Sequence, residues 1–117
     1  MSHDVTGSTL IVRDKALEAA AIALSLVNRV PAPLKSIADQ VVRSASSVPA
    51  NISEGLGRAG RDRIHHLRIA YASAQEVDVH IRLLAGAGAV DVAQANKAIS
   101  LFDEVRAMTW RMIHPRR

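Results

Sequence analysis

"SVPANISEGLGRAGR", Ser47 to Arg61, is the stretch whose reading decides the fold. Its apolar residues keep the spacing of a helix face, yet Pro49 stands inside it, and Gly55, Gly57 and Gly60 follow with Arg58 and Arg61. A proline inside a helix removes one backbone hydrogen bond and collides with the carbonyl four residues earlier, here that of Ala45. The cost is ~3 kcal/mol if the helix stays straight. Bending lowers it, and Ser46 and Ser47 can hydrogen-bond to the freed carbonyls. Two readings follow: a kink at Pro49 within one helix, or a helix that stops at Val48 with a short new turn begun at Pro49. The stripe running unbroken through Val48 and Ile52 favours the kink. Gly55 then fits a C-terminal cap, since glycine tolerates the left-handed conformation that such caps use.

Upstream, Leu34, Ile37, Val41, Ala45, Val48 and Ile52 form one stripe, with Lys35, Asp39 and Arg43 on other faces. Pro33 suits the opening turn of this second helix, where a missing N–H costs nothing. The preceding "VPAP" stops a first helix near Arg29, because residues before proline avoid the α region. That first helix is expected from Leu10, with Leu10, Leu17 and Leu24 on its apolar side and Ala20 and Val27 between them. Residues 1–9 read as a flexible tail.

Downstream, Arg61 to Ala87 reads as a long third helix whose stripe is Ile64, Leu67, Tyr71, Ala74, Val77, Ile81 and Leu84. Gly86-Ala87-Gly88 stops it. Asp91 is a fitting N-cap for a fourth helix, with Ala95, Ile99, Phe102, Val105, Met108 and Met112 on its apolar side. Four amphipathic helices with short connections close most economically as an all-α, antiparallel up-down-up-down four-helix bundle. The expected domain is single and spans residues 10–117, with a proline kink in helix 2.

Composition agrees. The chain has 117 residues, enough for one core, and 49% of them are apolar, but its aromatics are only Trp110, Tyr71 and Phe102. The core must be built from Ala, Val, Leu and Ile. There is no cysteine, which removes disulfides, thiolate metal sites and cysteine nucleophiles. The opening "MSHDVTGST" has no apolar stretch, and "AAAIAL" (19–24) is far below a membrane span of roughly 18 residues. A cytoplasmic protein without membrane association is expected.

"RSASSVPANISEGLGR" resembles the signature of the bacterial four-helix-bundle family encoded in intervening sequences of 23S rRNA genes. "HLRIAYASAQEVDVHIRLL" is similar to the same family's third-helix pattern, and the likeness covers roughly residues 10–114. Asn51, Ile52, Glu54, Gly55, Gly57, Arg58 and Glu76 fall on its characteristic positions, with Pro49 in the same motif. Ala72, where glycine is usual, and His80-Ile81 depart from it. The resemblance implies a homopentamer of bundles around a central channel. One related branch is the accessory protein of diversity-generating retroelements, which binds a reverse transcriptase and nucleic acid; most members have no established activity.

Glu54 and Arg58 lie one helical turn apart and can pair, with Asn51 on the same face. These residues either lock the connection between the second and third helices or bind a partner. Glu76 is expected to lie too far from that connection for direct contact. The densest basic segment is Arg58, Arg61, Arg63, His65, His66 and Arg68, offset only by Asp62. Arg61, His65 and Arg68 share a helix face that could meet phosphates or simply be solvated. Arg106, Arg111, Arg116 and Arg117 would add to it if they lie at the same end. No aromatics are interleaved, so base stacking is not suggested.

The net charge is +4 per chain, and five copies would carry +20, five times that value. The histidines lack the spacing of a zinc hydrolase site, and no nucleophile–base pair or phosphate loop is present. No metal, cofactor or catalytic residue is assigned. The sequence points to a non-enzymatic, basic, oligomeric scaffold for RNA or DNA, with a protein partner such as a reverse transcriptase. Its rival is a purely structural or protein-binding oligomer.

Overall fold

The computed structural model describes the backbone of residues 3–116 and the side chains of residues 10–116. Four helices follow in order: α1 (His3–Leu26), α2 (Lys35–Leu56), α3 (Gly60–Gly86) and α4 (Val92–Ile113). A 3₁₀ turn, Ala32–Leu34, precedes α2, and no strand occurs among the described residues. Each of α1 and α3 packs against both α2 and α4, which closes the up-down-up-down bundle. The body measures 49 × 23 × 20 Å, its long axis set by the helices.

α2 continues through Pro49 as one helix, so it does not stop at Val48. The serines do not seal the Ala45 carbonyl as expected. Ser46 Oγ donates one turn earlier, to the Val42 (2.8 Å) and Arg43 (3.1 Å) carbonyls. Ser47 Oγ is instead drawn across to α3, 2.9 Å from Ser73 Oγ.

The expected stripes of α2, α3 and α4 face the core. Val41, Val48, Ile52, Leu67, Val77, Ile81, Leu84, Phe102 and Val105 are completely buried. The buried Thr109 hydroxyl is satisfied by the Val105 carbonyl at 2.9 Å. α3 ends as read: Gly88 takes φ +72°, and Ala89 N–H donates to the Leu84 carbonyl (2.9 Å) while Gly88 N–H donates to that of Ala85 (3.0 Å). These are the paired bonds of a glycine C-terminal cap. Asp91 caps α4 by accepting from Gln94 N–H at 2.8 Å.

α1 departs from expectation. It begins at His3 rather than Leu10 and ends at Leu26 rather than near Arg29; residues 1 and 2 of the expected tail lie outside the described residues. Its buried side is Val12, Ala16, Ala19, Ala20, Ala23 and Leu26, continued by Val27 just past its end, whereas Leu10, Leu17 and Leu24 are 38%, 52% and 41% exposed. The seven-residue leucine row is therefore an outer ridge. Alanine lets a neighbouring backbone come close, so the small-residue side makes the seam with α2 and α4, and the leucines turn outward.

Gly55 is also reassigned. It lies inside α2 without a left-handed backbone, and the residue with positive φ in this connection is Gly60, at +60°. A Cβ on Gly55 would stand 3.3 Å from both the Arg63 carbonyl oxygen and the His66 Cβ. Glycine is used here for the close approach of two helices, not for a cap.

Candidate nucleic-acid interface

The α2–α3 hairpin is held by a run of polar contacts. Ser47 Oγ lies 3.1 Å from Asn51 Nδ2, which also donates to the Ser47 carbonyl at 2.9 Å. Asn51 Oδ1 is 3.1 Å from His66 Nδ1 on α3. On the outer side, Arg58 in the connection donates from Nη2 to Glu54 Oε2 (2.6 Å) and from Nη1 to Asp62 Oδ2 (2.8 Å). It thereby ties the last turn of α2 to the first turn of α3. Glu54 first and Asp62 second raise the guanidinium pKa above its ordinary value. Asp62 also carries its negative charge where the α3 dipole favours it.

Glu76 sits well away from this connection and meets Arg43 of α2, 3.8 Å apart. Gly57 follows α2 with φ −85° and room around it. Pro49 is buried. The two neighbouring histidines diverge: His66 turns inward to Asn51 while His65 stays exposed.

The basic residues divide by what holds them. Arg58 is occupied by two carboxylates. Arg106 is also engaged: its Nη2 lies 3.6 Å from Asp78 and bonds Asp103. Asp78, with its side chain only 10% exposed, additionally pairs with Arg82. This is an α3–α4 brace. By contrast, among the described residues no acidic partner lies within 4 Å of Arg61, Arg63, Arg68, Arg111 or Arg116. Arg61, Arg63, Ile64, His65 and Arg68 line an open depression of about 710 Å³ with Gly60. Arg117 lies outside the described residues.

The two basic groups lie toward the same end of the bundle and line separate depressions. The N-terminal half of α3 runs beside the C-terminal end of the antiparallel α4: Tyr71 of α3, one turn beyond Arg68, has its ring centroid 6.2 Å from that of Trp110 on α4. Trp110 in turn lies 3.7 Å from His114, centroid to centroid. Trp110 and Arg111 both line two further depressions, one with Tyr71, Asp103, Arg106 and Ala107, the other with His114, Pro115 and Arg116. The sequence reading missed this aromatic group, because Tyr71 and Trp110 come from different helices and sit more than thirty positions apart in the chain. The one available signal was that Tyr71 and Trp110 each lie within a turn of an arginine.

Fold and hairpin define an up-down four-helix bundle protein with a polar-locked second connection and free arginines at one end. Residues 8–111 match the family model described as 23S rRNA-intervening sequence protein, and the chain belongs to that family. A crystal structure of a protein of unknown function from the S23 ribosomal protein family of Bacteroides thetaiotaomicron is 27% identical in sequence. It superposes with a TM-score of 0.81, over 91% of this chain and 97% of that one. Among curated proteins none matches. Among the described residues no helix is long and apolar enough to cross a membrane.

Proposed function

We propose that the protein is an oligomeric basic scaffold, a homopentameric ring, that binds RNA or DNA through the arginine-rich end of its bundle. The observation carrying this reading is the placement of Arg61, Arg63 and Arg68 of α3 and of Arg111 and Arg116 toward the same end of the bundle, with no carboxylate within 4 Å of them among the described residues. Guanidinium groups free of internal partners attract phosphates irrespective of base sequence. Repeating the same end in a closed ring multiplies weak contacts by avidity.

Assembly into a ring is supported by two separate apolar faces. Leu10, Leu17 and Leu24 make a ridge on α1, while Val79 and Leu83, 56% and 53% exposed, lie one turn apart on α3. α1 and α3 occupy opposite corners of the bundle, so the two faces belong to different sides of it. A contact that joins one face to a different face on the next copy is heterologous, the kind that closes rings. The protein partner, such as a reverse transcriptase, comes from the likeness to the retroelement accessory branch. No catalytic residue, metal or cofactor enters the proposal.

Binding of the full chain to random-sequence RNA and DNA, titrated with salt, tests this reading. Affinity at low salt that falls steeply as salt rises supports it. Lack of binding at low salt leaves the rival, a structural or protein-binding oligomer.

A further inference from the structure

We infer that Trp110, flanked by Tyr71 and His114, is a stacking platform for an unpaired nucleobase, which gives the basic end a preference for single strands. The inference rests on the nucleic-acid reading above and refines it from phosphates to bases.

Three features of the site carry it. The Trp110 indole is 51% exposed, although it belongs to the largest apolar side-chain type and burial would stabilise it. It is nevertheless held in place: the His114 ring lies against it at 3.7 Å between centroids, and His114 Nδ1 is 3.1 Å from the Trp110 carbonyl oxygen. The Tyr71 ring also neighbours it, at 6.2 Å between centroids and tilted by 47°. An exposed aromatic ring whose orientation is already set loses little freedom when a flat partner arrives.

Charge supplies the second requirement. Arg111 lines both depressions that border the indole, and Arg116 lines one of them. The carboxylate of Asp103, at the edge of one depression, is taken up by Arg106. A ring face beside free guanidinium groups matches what a single strand presents, a base with its phosphate. In a duplex the base faces are covered by their neighbours, so the indole could reach only a strand end. An acidic peptide would satisfy the arginines but offers no flat ring to the indole.

The tryptophan is the chain's only one, so its emission reports on this site alone. The test uses the full chain with a twelve-nucleotide oligothymidylate and an abasic strand of the same length and charge. Binding of labelled strands is followed by anisotropy, and the indole by its fluorescence. Stacking predicts that the thymidine strand quenches Trp110, and that Trp110→Ala weakens this strand by roughly five- to a hundredfold. The abasic strand should bind equally to both proteins, and Trp110→Phe should recover most of the loss. Circular dichroism verifies that the exposed substitution leaves the helices intact. If both strands bind alike with unchanged emission, the stacking inference is overturned while phosphate binding stands. If neither strand binds at low salt, the nucleic-acid reading fails and this inference with it.

Discussion

Gly55 and His66 mark a close approach of α2 and α3: a Cβ at position 55 would stand 3.3 Å from that of His66 and equally far from the Arg63 carbonyl. Alanine in place of Gly55 would gain about 0.5–1 kcal/mol of helix propensity and spend it separating the helices by a few tenths of an ångström. The expected result is a midpoint in urea close to wild type. Gly55→Leu has no such outlet and should destabilise by about 1–3 kcal/mol through overpacking. A leucine variant as stable as wild type would remove the close approach from the account.

The other two glycines of the connection should respond in the opposite order from the spacing around them. Gly60 has open space but φ +60°, so Gly60→Ala is expected to cost about 1–2 kcal/mol in backbone strain. Gly57 has an ordinary φ of −85°, and Gly57→Ala should change stability little. Thermal melts of the two variants side by side decide the assignment.

Much of this was legible in the chain, and the misses have physical reasons. The stripes of α2, α3 and α4 were readable because each combines branched or aromatic side chains on one side with charges on the other. α1 defeated the same reasoning, since leucine and alanine both recur at helical spacing there, and hydrophobicity ranks the leucines first. Packing chose alanine, because two helices can approach over Ala16, Ala19 and Ala23 as they cannot over leucines. Gly55 was misread for a related reason: a glycine near a helix end fits a cap and a helix crossing equally until the second helix is in place. The Glu54–Arg58 pair was visible from its spacing, whereas the additional bond to Asp62 crosses the turn. The Tyr71–Trp110 contact at the basic end depends on α3 and α4 being antiparallel neighbours, which no local window contains.

Asp78 should prove more important than the surface charges around it. Its side chain is nearly enclosed, braces α3 to α4 through Arg106, and also pairs with Arg82 one turn along its own helix. Asp78→Ala leaves Arg106 short of one carboxylate and is expected to cost about 1–3 kcal/mol in chemical denaturation. Arg82→Ala, at a side chain 64% exposed, should cost under about 1 kcal/mol. Equal effects would show that the brace is not centred on the carboxylate.

The leucine ridge of α1 predicts a separation of assembly from folding. Leu17 is half exposed in the single chain, so Leu17→Glu should preserve the helical circular dichroism signal. In the ring the same carboxylate would be pressed against apolar surface, and light scattering should show the mass falling to that of one chain. A variant of undiminished mass would place the contact elsewhere.

The most direct test of the central claim, that free arginines at one end of the bundle attract phosphates, is the salt slope of nucleic-acid binding. It is measured for the wild type, for Arg61→Ala/Arg111→Ala, and for Arg106→Ala. Each lost phosphate contact should lower the slope of log K against log salt by about 1. The account predicts a weaker, shallower dependence for the double variant, alike on all sequences, and a wild-type slope for Arg106→Ala, whose guanidinium is already engaged by Asp78 and Asp103. A double variant with the wild-type slope and affinity would contradict it.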